Sequence, residues 1–411
     1  MADSEVRIDS IAAGGDGVGR VEGRVVFVPR SAPGDVGLVD MPTTGRFART
    51  VFSELRAASP VRTQPPCAHY VRDRCGGCQL QHVTYEAQLA AKAQIVRDAM
   101  QRIGKRAIDT PVVHASPRLW RYRRKLTLAL RRRGEGWVAG LHPFDEPGRV
   151  FPLVDCPITQ EEVLAIWRDV MAASGYLPAE RELRGAVRID DSAAASFTLE
   201  GGRTWAASAK FFEAVPRITA LWWAPDRGAR RQLYSRQAVS QPGASFAQVN
   251  PAVAVALRDR VVALTLSRSP ETVVDAYAGM GDTAIALAKR GVSVTAIELD
   301  ADAAAWSGAH LPPGSQSIAG RVEDALGPAL PADAVILNPP RAGVDRRVTD
   351  ILESARPATN ALIYVSCDPA TLARDAQRLA EHLALRAVRC FDMFPQTTHV
   401  ETVAEFECTT T

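Results

Sequence analysis

Short apolar segments separated by turn-forming clusters fill the beginning of the chain. The segments EVRIDSIA, RVVFVP and VGLVDM have the composition of strands, and GGDGVG, SAPGD and MPTTG have that of turns. Short strands at this spacing are typical of a small barrel, so residues 1–57 are predicted to form an OB-like β-barrel domain. Residues 57–66, AASPVRTQPP, are predicted to be a linker.

A mixture of predicted strands and helices follows in residues 67–240. The segments KLTLAL, WVAGLH and ASFTLE are predicted strands, EEVLAIWRDVMAA is a predicted helix, and a further helix is expected over residues 85–104. These elements predict a central α+β domain.

From about residue 245 apolar strands alternate with helical segments. The first helix is predicted to begin with Asn250 as its cap and Pro251 at its first position. The predicted strands after it are TVVDAYAG, VSVTAIELD, AVILNPP and ALIYVSCD. This alternation predicts an α/β fold with a parallel, Rossmann-like sheet in residues 241–411.

Charge is distributed unevenly along the 411 residues, although the net charge is only +3. Residues 241–411 contain 14 Lys and Arg against 20 Asp and Glu, whereas residues 1–240 contain 35 and 26. The basic half favours a polyanionic partner, with unequal solvation of the two halves as the alternative. No apolar run approaches the roughly 18 residues of a membrane helix, and the N-terminus has no signal segment, so a cytoplasmic protein without membrane association is expected.

Four of the seven cysteines form a candidate metal site, namely Cys67, Cys75, Cys78 and Cys156. An odd number of cysteines without a signal peptide argues against a disulfide framework. Four thiolates suit either zinc or an iron–sulfur cluster, and the spacing of one close pair with two outlying cysteines leaves both open. Cys390 and Cys408 lie in no motif and are expected to be packed thiols.

A glycine-containing turn follows the first strand of the alternating region. Gly279 and Gly281 would let the backbone approach a ligand at the carboxyl end of that strand. The next strand ends in Glu298, where a carboxylate can accept hydrogen bonds from ribose hydroxyls. The two features predict a nucleoside-containing cofactor, and the lack of a third fingerprint glycine favours S-adenosylmethionine over a dinucleotide. Residues 338–341, Asn-Pro-Pro-Arg, are predicted to form a stiff loop at the same edge.

Cys367 follows the last of the predicted strands and should therefore lie at this edge too. A structural cysteine would be expected inside the apolar run, and a position near a helix N-terminus would favour the thiolate, so Cys367 is predicted to be a nucleophile. Glu401 is a candidate general base beside it, with an ordinary edge-strand carboxylate as the alternative. His399 is predicted to be structural.

Residues 118–133, RLWRYRRKLTLALRRR, contain eight Arg or Lys in sixteen positions. The leucines alternate as in a strand with one buried face. Trp120 and Tyr122 interleave with arginines that can bind phosphate and stack on bases. The segment is predicted to bind RNA, with a solvated charged surface as the alternative.

Five motifs in this order resemble the RNA uracil-5-methyltransferases over nearly the full length of the chain. They are SFAQVN (245–250), DAYAGMGD (275–282), LNPPRAG (337–343), YVSCDPATLARD (364–375) and FPQTTHVET (394–402). The resemblance implies S-adenosylmethionine-dependent methylation of C5 of a uridine, with Cys367 as the covalent nucleophile and Glu401 as the proton acceptor. The residues that it implies for binding the cofactor or the target base are Gln248, Tyr277, Glu298 and Asn338.

The first domain resembles a TRAM domain, an RNA-binding β-barrel, and the cysteine set is similar to the iron–sulfur site of the ribosomal RNA branch of this family. The resemblance therefore implies a [4Fe–4S] cluster that holds loops together, and ribosomal RNA as the partner, with tRNA as the alternative. The tRNA branch usually lacks both features. The family usually has Asp where this chain has Asn338, which keeps an acceptor oxygen but loses the negative charge. A monomer is expected.

Two rival functions remain open on the sequence. Asn-Pro-Pro also occurs in methyltransferases that act on exocyclic amines, but those resemble Asn-Pro-Pro followed by an aromatic residue, where this chain has Arg341, and they need no cysteine nucleophile. The second rival is a non-catalytic RNA-binding or iron–sulfur assembly protein, which Asn338 alone supports.

Overall fold

The structure, a computed structural model, describes residues 3–237, 248–354 and 359–409. The predicted boundary between residues 240 and 241, and the first three residues of the SFAQVN motif, lie outside this part of the chain. The described strands form three sheets.

The N-terminal sheet has the strand order β5-β3-β2-β1-β4-β6. Its strands are β1 (Asp3–Ile11), β2 (Asp16–Val21), β3 (Arg24–Pro29), β4 (Val36–Asp40), β5 (Phe47–Arg49) and β6 (Phe52–Ala57). The paired strands are antiparallel except β3 and β5. Alternate residues of the strands, such as Val6, Ile8, Val26 and Val28, are buried in one apolar cluster, which confirms the three predicted strands as half-buried.

The prediction of a turn at GGDGVG is wrong for most of that segment, because it lies in β2. Gly17 and Gly19 take buried positions on this strand. A Cβ would lie 2.0 Å from Ser31 Oγ at the first and 2.3 Å from Arg7 O at the second. These glycines therefore allow close packing within the sheet and do not reverse the chain.

The predicted linker is held against the N-terminal sheet. The buried carboxylate of Asp35 accepts hydrogen bonds from Ser59 N at 2.9 Å and from Arg62 Nη2 at 2.7 Å. Residues 57–66 therefore have a defined path between the first sheet and the cysteine segment.

The central sheet has the strand order β10-β9-β8-β11-β12-β13-β14. The elements of this part of the chain are α1 (Ala68–Arg72), α2 (Tyr85–Arg102), β7 (Val113–His114), β8 (Lys125–Arg133), β9 (Gly136–Leu141), β10 (Phe151–Pro152), α3 (Glu161–Ala172), β11 (Glu182–Ile189), β12 (Ala195–Glu200), α4 (Ser208–Ala214), β13 (Ala220–Ala224) and β14 (Arg231–Ser235). The predicted strands and both predicted helices are confirmed. Leu126, Leu128 and Leu130 face the core of this sheet, as their alternation predicts.

The C-terminal sheet has the strand order β17-β16-β15-β18-β19-β21-β20-β7. Its elements are α5 (Pro251–Leu266), β15 (Thr272–Ala276), α6 (Asp282–Ala288), β16 (Ser293–Glu298), α7 (Ala301–His310), β17 (Gln316–Ala319), α8 (Val322–Ala325), β18 (Ala334–Leu337), α9 (Arg346–Ser354), β19 (Ala361–Ser366), α10 (Pro369–Arg378), β20 (Leu383–Phe391) and β21 (Glu401–Cys408). Strands β15 to β19 are parallel, and β21 joins β19 in the antiparallel direction. The predicted α/β fold is confirmed.

Asn250 occupies the predicted position before α5, but its side chain does not cap the helix. Its Nδ2 instead donates to Ser116 Oγ at 2.9 Å. The amide group of Asn250 is therefore hydrogen-bonded to a distant part of the chain and does not bond the free backbone N–H groups of the helix.

Two elements of the central segment belong to the C-terminal sheet in space. Strand β7 pairs with β20 in the parallel direction. Helix α2 packs on α10, and its Met100 lies in the core beneath the sheet. No helix among the described residues has the length and apolar character required to cross a membrane.

Candidate active site

The chain order of the C-terminal sheet reverses at β15, which has β16 on one side and β18 on the other. Open α/β sheets bind their ligands in the crevice at the carboxyl ends of such strands. Tyr277 directly follows β15, Glu298 ends β16 and Asn338 directly follows β18. The structure thus brings three of the four predicted binding residues to one edge.

The glycine turn after β15 is fixed by Glu298. Gly279 N donates to Glu298 Oε2 at 2.8 Å, and Asp300 N donates to Oε1 at 2.9 Å. Gly281 has φ +77°, and a Cβ there would lie 2.1 Å from Ser307 Oγ. The carboxylate therefore orients the turn, and each of its oxygens retains a lone pair for a further donor.

Asp275, which the sequence analysis did not single out, lies fully buried beneath this turn. Burial raises the pKa of its carboxyl group to about 7. Its Oδ2 has no hydrogen-bond partner among the described residues. The position before a glycine turn at a strand end was the available sequence signal.

Strand register sets Cys367 opposite Glu401. Ser366 pairs with Thr402 in the antiparallel ladder of β19 and β21, and Thr402 Oγ1 donates to Ser366 O at 3.0 Å. The ladder ends at this pair, and continuing its register by one step brings Cys367 opposite Glu401, whose charge acts on the thiol. Because β21 lies between β19 and β20, Glu401 is buried, and its description as an edge-strand carboxylate is wrong.

Glu401 and Arg341 have opposite effects on the pKa of the Cys367 thiol. Burial raises the pKa of the Cys367 thiol, Glu401 raises it further, and Arg341 lowers it. Burial raises the pKa of Glu401 to about 7, and Arg341 again acts in the lowering direction. A carboxyl group with this pKa can accept and release protons near neutral pH.

The expected help from a helix N-terminus does not reach the thiol directly. Cys367 precedes Asp368, which is the N-cap of α10. The Asp368 carboxylate accepts hydrogen bonds from Ala370 N at 2.9 Å and Thr371 N at 3.0 Å. These amides are already bonded, so the nearby cation that favours the thiolate is Arg341.

Arg341, noted in the sequence only as the residue after the prolines, belongs to a loop that a buried carboxylate anchors. Asp375 accepts hydrogen bonds from Tyr364 Oη at 2.8 Å and from Val344 N at 3.1 Å. The connection between β18 and α9 is therefore fixed on α10. Arg341 extends from this anchored loop, and its charge acts on both Cys367 and Glu401.

Gly343 makes this anchoring sterically possible, so Gly343→Ala should destabilise the fold. Gly343 has φ +77°, and a Cβ there would lie 2.4 Å from both Arg374 Nη2 and Asp375 Oδ2. We expect a loss of about 1–3 kcal/mol in the free energy of unfolding, measured by urea denaturation. The matched control is Gly291→Ala, which has φ +88° and open space around the Cβ position. An equal loss in both variants would show that backbone strain alone is responsible.

The remaining predicted site residues differ in how far they are buried. Gln248 lies two residues before Asn250, and its Oε1 is buried without a hydrogen-bond partner among the described residues. Asn338 is exposed at the strand edge. His399 is exposed, and its ring lies edge-to-face on Phe394 with ring centroids 5.9 Å apart.

The four motif cysteines are all buried. Burial raises the pKa of the Cys75 thiol to about 11, and neighbouring Cys156 and Cys67 also raise it. The Cys78 thiol likewise has a raised pKa, from burial and then from Cys156 and Cys75. The structure therefore gathers cysteines that are 89 positions apart in the sequence into one neighbourhood.

Tyr122 does not share the surface with the arginines of the basic segment, because its side chain is buried in the core of the central domain. Its hydroxyl donates to Pro395 O at 3.0 Å. Several neighbouring cations of the basic segment form ion pairs, including Arg121 with Asp155 and Arg131 with Glu182.

Comparison with known proteins gives a consistent result. Residues 321–406 match the model of the tRNA (uracil-5-)-methyltransferase family. An uncharacterized RNA methyltransferase of Protochlamydia amoebophila is 30% identical, covering 98% of this chain and 97% of its own. One of Gloeobacter violaceus is 34% identical, covering 98% and 96%. The solved Pyrococcus abyssi tRNA (uracil-54, C5)-methyltransferase, in complex with S-adenosyl-L-homocysteine, has a TM-score of 0.70 at 23% identity, covering 98% of this chain and 99% of its own.

The shared α/β fold and the full-length relatives define an RNA methyltransferase. More particularly, the chain belongs to the RNA uracil-5-methyltransferase family, and it is an enzyme. Both conclusions confirm what the motifs predicted.

Proposed function

We propose that this enzyme methylates C5 of one specific uridine in RNA, with Cys367 as covalent nucleophile and Glu401 as proton acceptor. The observation that carries the proposal is the end of the β19–β21 ladder at Ser366 and Thr402, beyond which Cys367 and Glu401 are the next residues and interact electrostatically. Addition of a nucleophile such as the cysteine thiolate at C6 activates C5 of uracil, which is otherwise a poor nucleophile.

S-adenosylmethionine fits the edge as methyl donor and supplies an electrophilic methyl group when bound. Gly279 has φ +57° with no atom within 4 Å of its Cβ position, so the turn leaves open space beside the backbone. Glu298 retains lone pairs toward the ribose hydroxyls. The residues proposed to hold the donor or the target base are Gln248, Tyr277, Glu298 and Asn338.

The residues of the chain divide the reaction into two steps. The Cys367 thiolate adds to C6 of uracil, and the electrons of the C5–C6 double bond make C5 an enolate carbon that takes the methyl group. Glu401 then removes the proton from C5, the double bond re-forms and the thiolate is expelled from C6. Arg341 offsets the negative charges of this pair of residues. Access to both faces of the ring requires a uridine turned out of its stack.

We propose RNA binding by the basic first 240 residues, where Lys and Arg exceed Asp and Glu by 35 to 26. The six-stranded N-terminal sheet is the proposed TRAM domain. Ribosomal RNA is favoured by the cysteine set and this domain, and tRNA is the alternative. The Pyrococcus enzyme named for a tRNA uridine matches 98% of this chain, so chain length does not separate the two.

The direct test is transfer of labelled methyl groups from S-adenosylmethionine to RNA by the purified enzyme. Ribosomal RNA and tRNA from a deletion strain, which lack the native modification, are compared as substrates, and 5-methyluridine is mapped in both. A product on an exocyclic amine, or binding of RNA without any transfer, would overturn the proposal.

The four cysteines fit an iron–sulfur cluster better than zinc. A single zinc with bonds of ~2.3 Å would bring its sulfurs to about 3.8 Å from one another. No three of the sulfurs of Cys67, Cys75, Cys78 and Cys156, all within the described chain, lie within 4.8 Å of one another. A [4Fe–4S] cluster attaches each cysteine to a separate iron and so accepts wider spacing.

Protein purified without oxygen should therefore contain about four iron and four sulfide per chain. Cys78→Ser should lose most of both, measured by iron and acid-labile sulfide assays, because it removes one of the buried ligands. Cys408→Ser, outside the cysteine set, should retain them. Stoichiometric zinc without sulfide would contradict the cluster.

A further inference from the structure

We infer that a buried ion pair, Lys92 with Asp392, positions the general base Glu401. The inference rests on the proposed function of Glu401 and adds a positioning role for residues that the reaction itself does not use. Lys92 lies on α2, whereas Asp392 begins the connection between β20 and β21. Both side chains have 0% of their surface exposed.

The connection needs support because it is long. Residues 392–400 separate Phe391, the end of β20, from Glu401, the first residue of β21. Antiparallel neighbours are usually joined by about two to five residues. Glu401 pairs with Phe391 where the β20–β21 ladder begins, and Asp392 is the residue after Phe391. The contacts that hold this nine-residue connection therefore bear directly on the position of Glu401.

Lys92 fixes the first part of the connection. Its Nζ contacts Asp392 Oδ1 and donates to Phe394 O at 3.0 Å. The second oxygen of Asp392 accepts from Tyr85 Oη at 2.7 Å, another residue of α2. Replacing a buried ion pair by well-packed apolar residues is often neutral or stabilising, so this pair is weak evidence for a purely stabilising role.

Gln396 fixes the second part in a strained conformation. Its φ is +71°, a left-handed value that costs about 1 kcal/mol or more for a residue other than glycine. Its backbone N donates to Gln88 Oε1 at 2.9 Å, and its carbonyl accepts from Gln79 N at 3.1 Å and Leu80 N at 2.9 Å. Gln88 lies one turn before Lys92 on α2, so both contacts come from one helix face.

These contacts attach the connection to α2, a helix that carries neither Cys367 nor Glu401. Loss of Lys92 would free Phe394 O and leave the Asp392 carboxylate buried with one fewer partner. The expected consequence is a displaced Glu401 beside a correctly placed Cys367, since β19 pairs with β18 and β21 and not with β20, after whose end Lys92 makes its contacts. Addition and methyl transfer would then proceed, while removal of the C5 proton would slow.

The test is Lys92→Met assayed with RNA carrying tritium at C5 of uridine. The expected result is a kcat lowered by about 10–100-fold, as a displacement of about 1 Å produces, with KM values for RNA and methyl donor little changed. Methyl transfer should outrun tritium release, and a methylated protein–RNA adduct should accumulate on ordinary RNA. The native enzyme should show equal methyl transfer and tritium release.

Two further variants separate positioning from stability. Lys92→Met combined with Asp392→Asn removes both buried charges, so it should recover stability and serves if the single variant does not fold, yet it should still accumulate the adduct. Arg268→Met breaks ion pairs with Glu405 and Glu407 at the far end of β21 and should release tritium normally. The inference is wrong if the double variant accumulates no adduct, or if Arg268→Met accumulates as much. Failure of the native enzyme to form any adduct with 5-fluorouridine RNA would instead contradict the proposed function.

Discussion

Replacement of Cys367 by alanine is expected to abolish methylation, lowering turnover by about 10⁴-fold or more. Without the sulfur no bond forms at C6, and C5 never becomes nucleophilic, so correct binding of RNA and methyl donor cannot compensate. The measurement is transfer of labelled methyl groups to RNA under single-turnover conditions. Affinity for RNA, measured by filter binding, should change little because the substitution leaves the basic half of the chain intact.

The same variant gives a direct test of the covalent bond. Native enzyme incubated with 5-fluorouridine RNA and methyl donor should form an adduct that survives denaturation, because fluorine at C5 cannot leave as a proton. Cys367→Ala should form none, whereas Cys408→Ala, at the opposite end of β21, should form as much as the native enzyme. An adduct attached through another cysteine, or full turnover in Cys367→Ala, would refute the proposed nucleophile.

The sequence predicted the positions of the candidate site well because those positions depend on strand ends. Once β15, β16, β18 and β19 are recognised as parallel, the residues after them must meet at one edge. Tyr277, Asn338 and Cys367 follow from that rule without any knowledge of side-chain packing. Predicting the position of Glu401 also required the direction of β21. The apolar–polar pattern of a strand does not specify whether that strand is internal or at an edge of its sheet.

Contacts between distant segments could not be predicted in this way. Lys92 and Asp392 are 300 positions apart, and neither belongs to a motif. The available signal was the spacing of Tyr85, Gln88 and Lys92, which places polar groups on the same helix face as buried Val96. The burial of Tyr122 could not be predicted either, since composition does not distinguish an aromatic residue at an RNA-binding surface from one in a core.

Glu401→Gln should stop the reaction after methyl transfer. The amide keeps the shape of the carboxyl group but cannot take the C5 proton, so turnover should fall by about 10²–10⁴-fold. Unlike Cys367→Ala, this variant should accumulate a methylated covalent complex with ordinary RNA, visible on a denaturing gel. Free methylated RNA released at the native rate would exclude Glu401 as the base.

The pH dependence of product release gives an independent test of the same residue. Burial raises the pKa of Glu401 to about 7, and the base must be ionised to act, so the release rate of native enzyme should rise with pH through about 7. Glu401→Gln should lose this dependence of the release rate on pH.

The raised pKa of Glu401 also means that the folded state binds this proton more strongly than the unfolded chain. Its contribution to stability is therefore full below about pH 4.5 and is lost as pH rises through about 7. At pH 8 the glutamine variant, neutral at every pH, should consequently unfold at higher urea concentration than the native enzyme, and a lower midpoint would show that Glu401 is ionised without cost in the folded protein.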